Sequence, residues 1–279
     1  MKTDKKTIQN RFNNSVKTYN YQAVVQKQIA SKLANLISIN AITDFNQLLE
    51  IGCGTGFLTK QMLNNSYVKE YFLNDLADSV LKEVQHITNN FNFTNFNFIS
   101  GDAEKTTFPK NIDAIISSSS FQWFNDLEAF ILQAQNLLND NGLLAFSTFG
   151  ADNFKEIKTT LNVGLHYKTL QELINTLKPN FNILHAEEWR QKEKFKNPNE
   201  VLRHIKLTGV NGFKKTFFGK EKLFEFNKKY RQLFSNNGGS VYLTYHPIII
   251  IAKKKSEKTC KLNTPIKTAK INESNRIFY

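Results

Sequence analysis

The chain has 279 residues, of which 41% are hydrophobic and 13% aromatic, and it carries a formal net charge of +13. That apolar content supports a sizeable core and excludes a wholly disordered chain. No run approaches the ~18 apolar residues of a membrane-spanning helix, and the polar, basic N-terminus has no apolar stretch typical of a signal peptide, so we expect a cytoplasmic protein.

The positive charge is unevenly distributed. Residues 253–279 contain eight basic and two acidic residues, a net +6, and the rest of the chain carries the remaining +7. The tail has almost no apolar periodicity, which predicts a solvated, disordered extension. The basic balance favours an acidic partner, which could be nucleic acid, a membrane surface or an acidic protein.

In chain order, the first forty residues have apolar side chains at helical spacing and are predicted to be helical, around Thr7–Val16 and again from Tyr21 onward. Apolar runs then alternate with amphipathic stretches. The runs predict strands at Leu48–Ile51, Tyr71–Leu73, Phe96–Ser100, Ile112–Ser117 and Leu143–Thr148. The stretches predict helices at Phe57–Asn64, Leu76–Thr88 and Leu127–Leu138. This alternation is typical of an α/β protein with an open, doubly wound parallel sheet.

The pattern changes after Gly150. Helices are predicted at Leu170–Leu177, Glu200–Leu207 and Leu223–Leu233, the second of them preceded by an Asn-Pro start signal. Phe181–Phe195 is predicted as a strand with its continuation, and Val241–Ala252 as the last strand.

The most informative motif is the glycine turn Glu50-Ile51-Gly52-Cys53-Gly54-Thr55-Gly56, which joins a strand to a helix. A phosphate-binding P-loop requires Lys-Ser/Thr after its glycines, and Phe57-Leu58 stand there instead. The dinucleotide fingerprint requires its third glycine three residues beyond the second, and Gly56 is only two beyond. An acid just before the glycines favours S-adenosylmethionine (SAM), because Glu50 would attract its amino group and sulfonium but repel a pyrophosphate.

Two more acids follow the next two predicted strands. Asp75 is placed to hold ribose hydroxyls, and Asp102, beside Ala103, to accept a hydrogen bond from an adenine amino group. Each acid alone would more often be a helix N-cap. Three acids at successive strand ends together predict a cofactor crevice, and no His/Cys/Asp cluster has the spacing of a metal site.

Residues 40–150 thus resemble the class I SAM-dependent methyltransferases. The resemblance implies a seven-stranded, mostly parallel, Rossmann-like sheet whose last strand is antiparallel. The stretch Ser117–Phe124 lacks the Pro-Pro motif of enzymes that methylate base amino groups. No cysteine stands where a base C5 methyltransferase would need one, so a nucleic-acid acceptor is disfavoured.

Further stretches narrow the resemblance. They are Arg11-Phe12-Asn13, Thr18-Tyr19, Ala23–Gln26, Phe121–Phe124, Phe146–Gly150, Asn153–Ile157, Leu202–Gly212 and Leu243–Tyr245. The set resembles the malonyl-[acyl-carrier protein] O-methyltransferases of biotin synthesis. That resemblance implies methylation of the free carboxylate of malonyl-acyl carrier protein, an acidic protein substrate, with no metal and no membrane. It also implies a helical lid at 1–40 and a methyltransferase domain at 41–252 with an insertion at about 197–236. The basic tail at 253–279 lies outside the family pattern.

The site residues then follow as expectations. The cofactor would contact Arg11, Tyr19, Gln26, Glu50, Gly52, Cys53, Gly54, Gly56, Asp75, Leu76, Asp102, Ala103, Ser117 and Ser118. Tyr19, Gln122 and Trp123 would position the reactants, with no acid–base pair, because a malonyl carboxylate is already ionised at pH 7.

The acceptor would contact Arg203, His204 and Lys206, and Arg203 is the first choice because its planar fork matches a carboxylate. A basic surface around Arg203, Lys206, Lys214 and Lys215 would receive the carrier protein. The plainer interpretations are an exposed helical charge for Arg203, helix packing for Tyr19 and Gln26, and core packing for Trp123.

Three other functions stay open at this point. They are another small-molecule carboxyl or quinone-precursor methyltransferase, an RNA methyltransferase, and a non-catalytic SAM-binding regulator. The regulator would require a damaged glycine turn, and this one is intact.

Overall fold

The computed structural model describes residues 3–40, 43–208, 219–236 and 238–256. The predicted disordered tail beyond Ser256 and the predicted basic residues Lys214 and Lys215 lie outside these residues. The helices are α1 (Lys5–Gln22), α2 (Val24–Asn40), α3 (Phe57–Asn65), α4 (Leu81–Asn90), α5 (Leu127–Leu137), α6 (Lys155–Leu161), α7 (Leu170–Leu177), α8 (Pro198–Leu207) and α9 (Lys220–Phe234). The strands are β1 (Asp44–Ile51), β2 (Tyr67–Asp75), β3 (Phe96–Ser100), β4 (Ile112–Ser118), β5 (Leu138–Phe149), β6 (Phe181–Glu188), β7 (Gln191–Phe195), β8 (Val241–Tyr245) and β9 (Pro247–Lys254).

The main sheet has, within the described ranges, seven strands in the order β3-β2-β1-β4-β5-β9-β6. The pairs β1–β2, β1–β4, β2–β3 and β4–β5 are parallel, and β9 runs antiparallel to both of its neighbours. The predicted fold class, with an antiparallel last strand, is therefore confirmed.

Helices cover both faces of the sheet. Leu33 of α2, Met62 of α3 and Val84 of α4 are buried on one face, and Ile131 of α5 and Leu173 of α7 are buried on the other. Coverage on both sides explains why the central strands are nearly continuous apolar runs instead of alternating ones.

The predicted single strand Val241–Ala252 is wrong, because the chain changes sheets at His246. Residues before it form β8, which pairs with β7 in a separate two-stranded sheet, and residues after it form β9. At the break, the His246 carbonyl accepts from Gly150 N (2.8 Å) and its N–H donates to Asn153 Oδ1 (3.2 Å), so its backbone leaves both ladders. Pro247, which has no N–H to donate, then begins β9.

Two other boundaries differ from the prediction. The predicted strand Phe181–Phe195 is divided into β6 and β7, which belong to different sheets. The predicted helix Leu76–Thr88 begins later, because a 3₁₀ turn at Asp78–Val80 precedes α4. Before this turn, Asp75 Oδ1 accepts from Ala77 N, and its Oδ2 accepts from Gly54 N in the glycine turn after β1.

The topology indicates which edge of the sheet could bind a ligand. The carboxyl ends of β1, β2 and β4 meet where the strand order reverses, which is where open α/β sheets bind ligands. Helix α1 lies over this edge of the sheet. Helix α8 lies next to α1, because the Thr18 hydroxyl of α1 donates to the Leu207 carbonyl of α8 (2.9 Å). Among the residues with described structure, no helix has both the length and the apolar character needed to cross a membrane.

Candidate active site

A cleft of about 1020 Å³ opens at this edge of the sheet, beneath α1. The glycine turn after β1 forms its floor, and the segments after β2, β3 and β4 form its walls.

Two glycines of the turn are required by geometry. Gly52 has φ +66°, and a Cβ there would collide with the Ser120 side chain from the loop after β4. Gly56, with φ +82°, caps α3, and a Cβ there would collide with Ile87. Gly52 therefore lets the turn approach the opposite wall of the cleft, whereas Gly56 serves the packing of α3 against α4.

Glu50 lies at the end of β1 and is 1% exposed. Its Oε2 accepts from the Thr59 hydroxyl (2.8 Å) and the Tyr71 hydroxyl (2.6 Å). Both bonds use one oxygen, so Oε1 is available to a ligand. Burial raises the pKa of the Glu50 carboxyl to about 7, although the two hydroxyls act in the opposite direction.

Asp75 lies at the end of β2 and holds the glycine turn in place. Its Oδ2 accepts from Gly54 N and its Oδ1 from Ala77 N, both at 2.8 Å. Burial raises the pKa of the Asp75 carboxyl to about 6 despite these bonds. A cationic or hydroxyl-bearing ligand would stabilise the ionised form of both buried acids.

Two buried hydroxyls in the cleft have no hydrogen-bond partner among the described residues. They are Thr55 Oγ1, inside the glycine turn, and Ser119 Oγ, in the loop after β4. Buried polar groups are normally satisfied. Two such hydroxyls beside two buried carboxylates fit the polar groups of SAM.

Aromatic side chains close the cleft above this polar floor. Tyr19 of α1 stacks on Phe57 (ring centroids 5.6 Å apart) and meets Phe12 edge-on (5.1 Å). Trp123 and Phe124 line the cleft as well. Burial raises the pKa of the Tyr19 phenol, so it stays neutral. The result is an apolar cover that restricts water.

Helix α1 is fastened to the cleft rim by polar contacts near its start. Lys5 Nζ pairs with Asp102 Oδ1 (3.1 Å) and Glu104 Oε2 (2.6 Å), and it lies 4.8 Å from the Phe124 ring centroid. Gln9 Nε2 donates to the Leu76 carbonyl (2.7 Å). These bonds join the lid to the segments that follow β2 and β3.

The structure brings most of the predicted cofactor residues together. Those that line the cleft are Tyr19, Gln26, Glu50, Gly52, Cys53, Gly54, Asp75, Leu76, Asp102, Ala103, Ser118 and Trp123. The predicted residues outside the lining are Arg11, Gly56, Ser117, Gln122, Arg203, His204 and Lys206. Ser117 is fully buried and donates to the Ile51 carbonyl (2.8 Å), which joins β4 to β1.

The predicted acceptor residues separate into two faces of α8. Arg203 and Lys206 are exposed, whereas His204 points inward, and its Nε2 lies 2.7 Å from the Tyr245 hydroxyl. Burial lowers the pKa of His204, which favours its neutral form. Gln122 lies beside the cleft, where its Nε2 donates to the Ser119 carbonyl (2.5 Å).

Sequence reasoning missed several cleft residues. Thr55 could have been found, because it lies inside the glycine turn. Lys5 and Ser119 carry no distinguishing sequence signal, since only the folded lid and the loop after β4 bring them to the site. Over the part of the chain that the structure describes, no three His, Cys, Asp or Glu side chains group in a way that could hold a metal ion.

Comparisons with known proteins agree with this geometry. A family model described as a methyltransferase domain matches residues 42–238. The malonyl-[acyl-carrier protein] O-methyltransferase of Bacteroides helcogenes is 38% identical over 272 residues, which cover 90% of this chain and 99% of that protein. The protein of the same name from Bacteroides fragilis (strain 638R) is 39% identical over 91% of this chain, which spans 51% of that longer relative. In fold, the chain is similar to the YcgJ protein of Bacillus subtilis, with a TM-score of 0.60 at 15% identity over 80% of this chain and 98% of that one.

Proposed function

The chain belongs to the malonyl-[acyl-carrier protein] O-methyltransferases, and from this membership we propose that it methylates the free carboxylate of a malonyl thioester on acyl carrier protein. SAM is the methyl donor, and the product is the methyl ester that primes pimelate and biotin synthesis. The observation that carries the proposal is the relative of 38% identity that aligns with 90% of this chain and with 99% of its own length.

The cleft offers a matching set of groups for the donor. Glu50 Oε1 would receive the amino cation, and Asp75 and Asp102 the ribose and adenine ends. The glycine turn would lie against the cofactor, and the hydroxyls of Thr55 and Ser119 would gain partners. Bound SAM supplies an electrophilic methyl group on a sulfonium.

The acceptor chemistry requires no general base. A malonyl carboxylate is ionised at pH 7, so its oxygen can attack directly. The work of the protein is therefore to align the two reactants and to exclude water. Tyr19, Phe12 and Phe57 would provide that exclusion, and Trp123 an apolar wall. Since a cation and an anion are converted to two neutral groups, a dry site favours the reaction.

A basic face extends from α1 to α8 beside the lid. Lys17, Arg203 and Lys206 are exposed on it, and the bond between Thr18 and Leu207 holds the two helices together. Exposed cations attract an acidic protein over about a Debye length, and salt weakens that attraction. We assign this face to docking of the carrier protein.

The function is tested by methyl transfer from labelled SAM to purified malonyl-acyl carrier protein, with free malonate, malonyl-CoA and RNA as competing acceptors. Transfer of the label to a malonyl thioester, recovered as its methyl ester, supports the proposal. Transfer to none of the malonyl thioesters would refute it, and transfer to RNA would indicate the alternative enzyme class.

The docking face is tested by the double variant Arg203→Ala/Lys206→Ala. Its matched control is Lys110→Ala/Lys178→Ala, two exposed lysines just before β4 and β6, at the opposite edge of the sheet. We expect the first variant alone to raise KM for the carrier substrate, with a smaller salt dependence and unchanged SAM affinity. Equal KM values of the two variants for the carrier substrate would exclude this face as the docking site of the carrier protein.

A further inference from the structure

Gln26 is a buried amide without hydrogen-bond partners. It lies on α2 directly after the lid helix and is 2% exposed. Neither its Nε2 nor its Oε1 finds a partner among the described residues. A buried, unsatisfied amide is unfavourable, so this side chain is suited to a group that the protein itself does not provide.

Gln26 lies where two cavities meet. It lines the cofactor cleft together with Trp123, and both residues also line a narrow neighbouring cavity. Phe149 and Tyr167 also line this narrow cavity, and the same two residues border a third pocket. The amide therefore borders both the cofactor cleft and the narrow cavity next to it.

The cofactor cleft and the cavity beside it differ in the charge of their lining residues. The cofactor side contains three acids, Glu50, Asp75 and Asp102, which would repel a second carboxylate. Its one lining cation among the described residues, Lys5, is already paired with Asp102 and Glu104. The described residues that line the narrow cavity are all uncharged. The lack of charge on the Gln26 side therefore favours that side over the acids for the carboxylate end of an anionic acceptor.

The amide also lies near side chains from other elements. Burial raises the pKa of the Tyr245 phenol, and the Gln26 amide lies near enough to act on that pKa in the opposite direction. Tyr245 is in turn 2.7 Å from His204 on α8. This chain connects α8, where the sequence predicted acceptor binding, with the cleft.

We infer that Gln26 binds the acceptor carboxylate, with Nε2 donating to one oxygen while the other attacks the methyl group. This inference rests on the proposed function and replaces cofactor contact as the expected role of Gln26. A neutral donor suits the reaction better than a cation would. The carboxylate loses its charge as the ester forms, so a fixed cation would stabilise the reactant more than the transition state.

The test compares Gln26→Met and Gln26→Glu with Gln28→Glu, a control at an exposed position of the same helix. Steady-state kinetics with malonyl-acyl carrier protein at saturating SAM are combined with calorimetric SAM binding. Loss of a hydrogen bond to a charged group should raise KM for the acceptor by about tenfold to a hundredfold in Gln26→Met. SAM affinity should stay within about twofold, and Gln28→Glu should resemble the wild type.

Gln26→Glu adds a pH signature. The introduced carboxylate should repel the acceptor at pH 8, and its protonation at lower pH should restore a hydrogen-bond donor. The acceptor KM of Gln26→Glu should therefore decrease as the pH is lowered, whereas that of the wild type should not. Weakened SAM binding in both variants, or an unchanged acceptor KM, would overturn the inference. Failure of the proposed function is distinguishable, because the wild type would then methylate no malonyl thioester.

Discussion

Substitution of Glu50 by Gln should stabilise the ligand-free protein and weaken cofactor binding at the same time. Burial raises the pKa of the Glu50 carboxyl from 4.5 to about 7. A carboxyl whose pKa is higher in the folded state than in the unfolded state lowers the stability of the protein as the pH rises. The loss begins near the unfolded-state pKa and is complete above the folded-state pKa. The difference corresponds to roughly 3 kcal/mol of unfolding free energy at pH 8.

The substitution Glu50→Gln removes this loss while keeping the local structure. Both hydroxyl donors, Thr59 and Tyr71, converge on a single oxygen, which the amide retains. Urea unfolding of the free protein should therefore show a gain in unfolding free energy at pH 8 that shrinks towards pH 5. Glu70→Gln, the same change at a half-buried position of the neighbouring strand β2, is the control.

Cofactor binding should change in the opposite direction. With pKa values of about 7 for Glu50 and about 6 for Asp75, the doubly ionised site becomes about tenfold more populated between pH 6 and pH 7. SAM affinity should rise by a similar factor in the wild type, but only about twofold in Glu50→Gln, where Asp75 alone titrates. Calorimetric titration at both pH values measures this. An identical rise in both proteins would refute the assignment of the amino cation to Glu50.

Three further substitutions probe the turn and the lid. Asp75→Ala removes the acceptor for Gly54 N and should weaken SAM binding at least about tenfold, as calorimetry would measure, while KM for the acceptor at saturating SAM stays unchanged. Lys5→Met breaks the ion pairs that fasten α1, so stopped-flow fluorescence should show SAM dissociating severalfold faster, with little change in Tm because these pairs are partly exposed. Gly56→Ala places a Cβ at φ +82° against Ile87 and should lower the unfolding free energy by about 1–3 kcal/mol in urea titrations.

Each of these has a clear contrary result. An unchanged SAM affinity in Asp75→Ala would remove that carboxylate from the cofactor site. A large fall in Tm for Lys5→Met would mean that α1 is a structural element and not a lid. Full stability of Gly56→Ala would mean that α4 can shift to admit the extra carbon.

The meeting of the three predicted acids in one cleft could be predicted from the sequence, for a physical reason. Glu50, Asp75 and Asp102 each follow a predicted strand, and the carboxyl ends of parallel strands share one edge of a sheet. A local pattern was therefore sufficient to place residues far apart in sequence. The prediction for Arg203 had no such support, because helical periodicity alone does not say which way a helix faces, and Arg203 is exposed.

The division of Val241–Ala252 between two sheets could not be predicted from the apolar pattern. Val241, Leu243 and Tyr245 are as buried as Ile248–Ala252, so hydrophobicity does not change at the break. His246 is itself 2% exposed, with its Nε2 3.1 Å from Glu188 Oε2. A tertiary contact sets that boundary, and the local sequence on either side of His246 contains no signal for it.

The antiparallel direction of β9 has a practical consequence for work with this protein. The described chain begins at the cleft, where the Thr3 hydroxyl donates to the Trp123 carbonyl (2.8 Å). It leaves the sheet at the opposite edge, where Lys254 Nζ donates to the Leu138 carbonyl (2.7 Å) at the start of β5. An affinity tag fused before residue 3 would start beside Trp123, at the rim of the cleft, and should hinder substrate entry. A tag joined after β9 starts about the height of the sheet away, so it is the better choice for every assay described above.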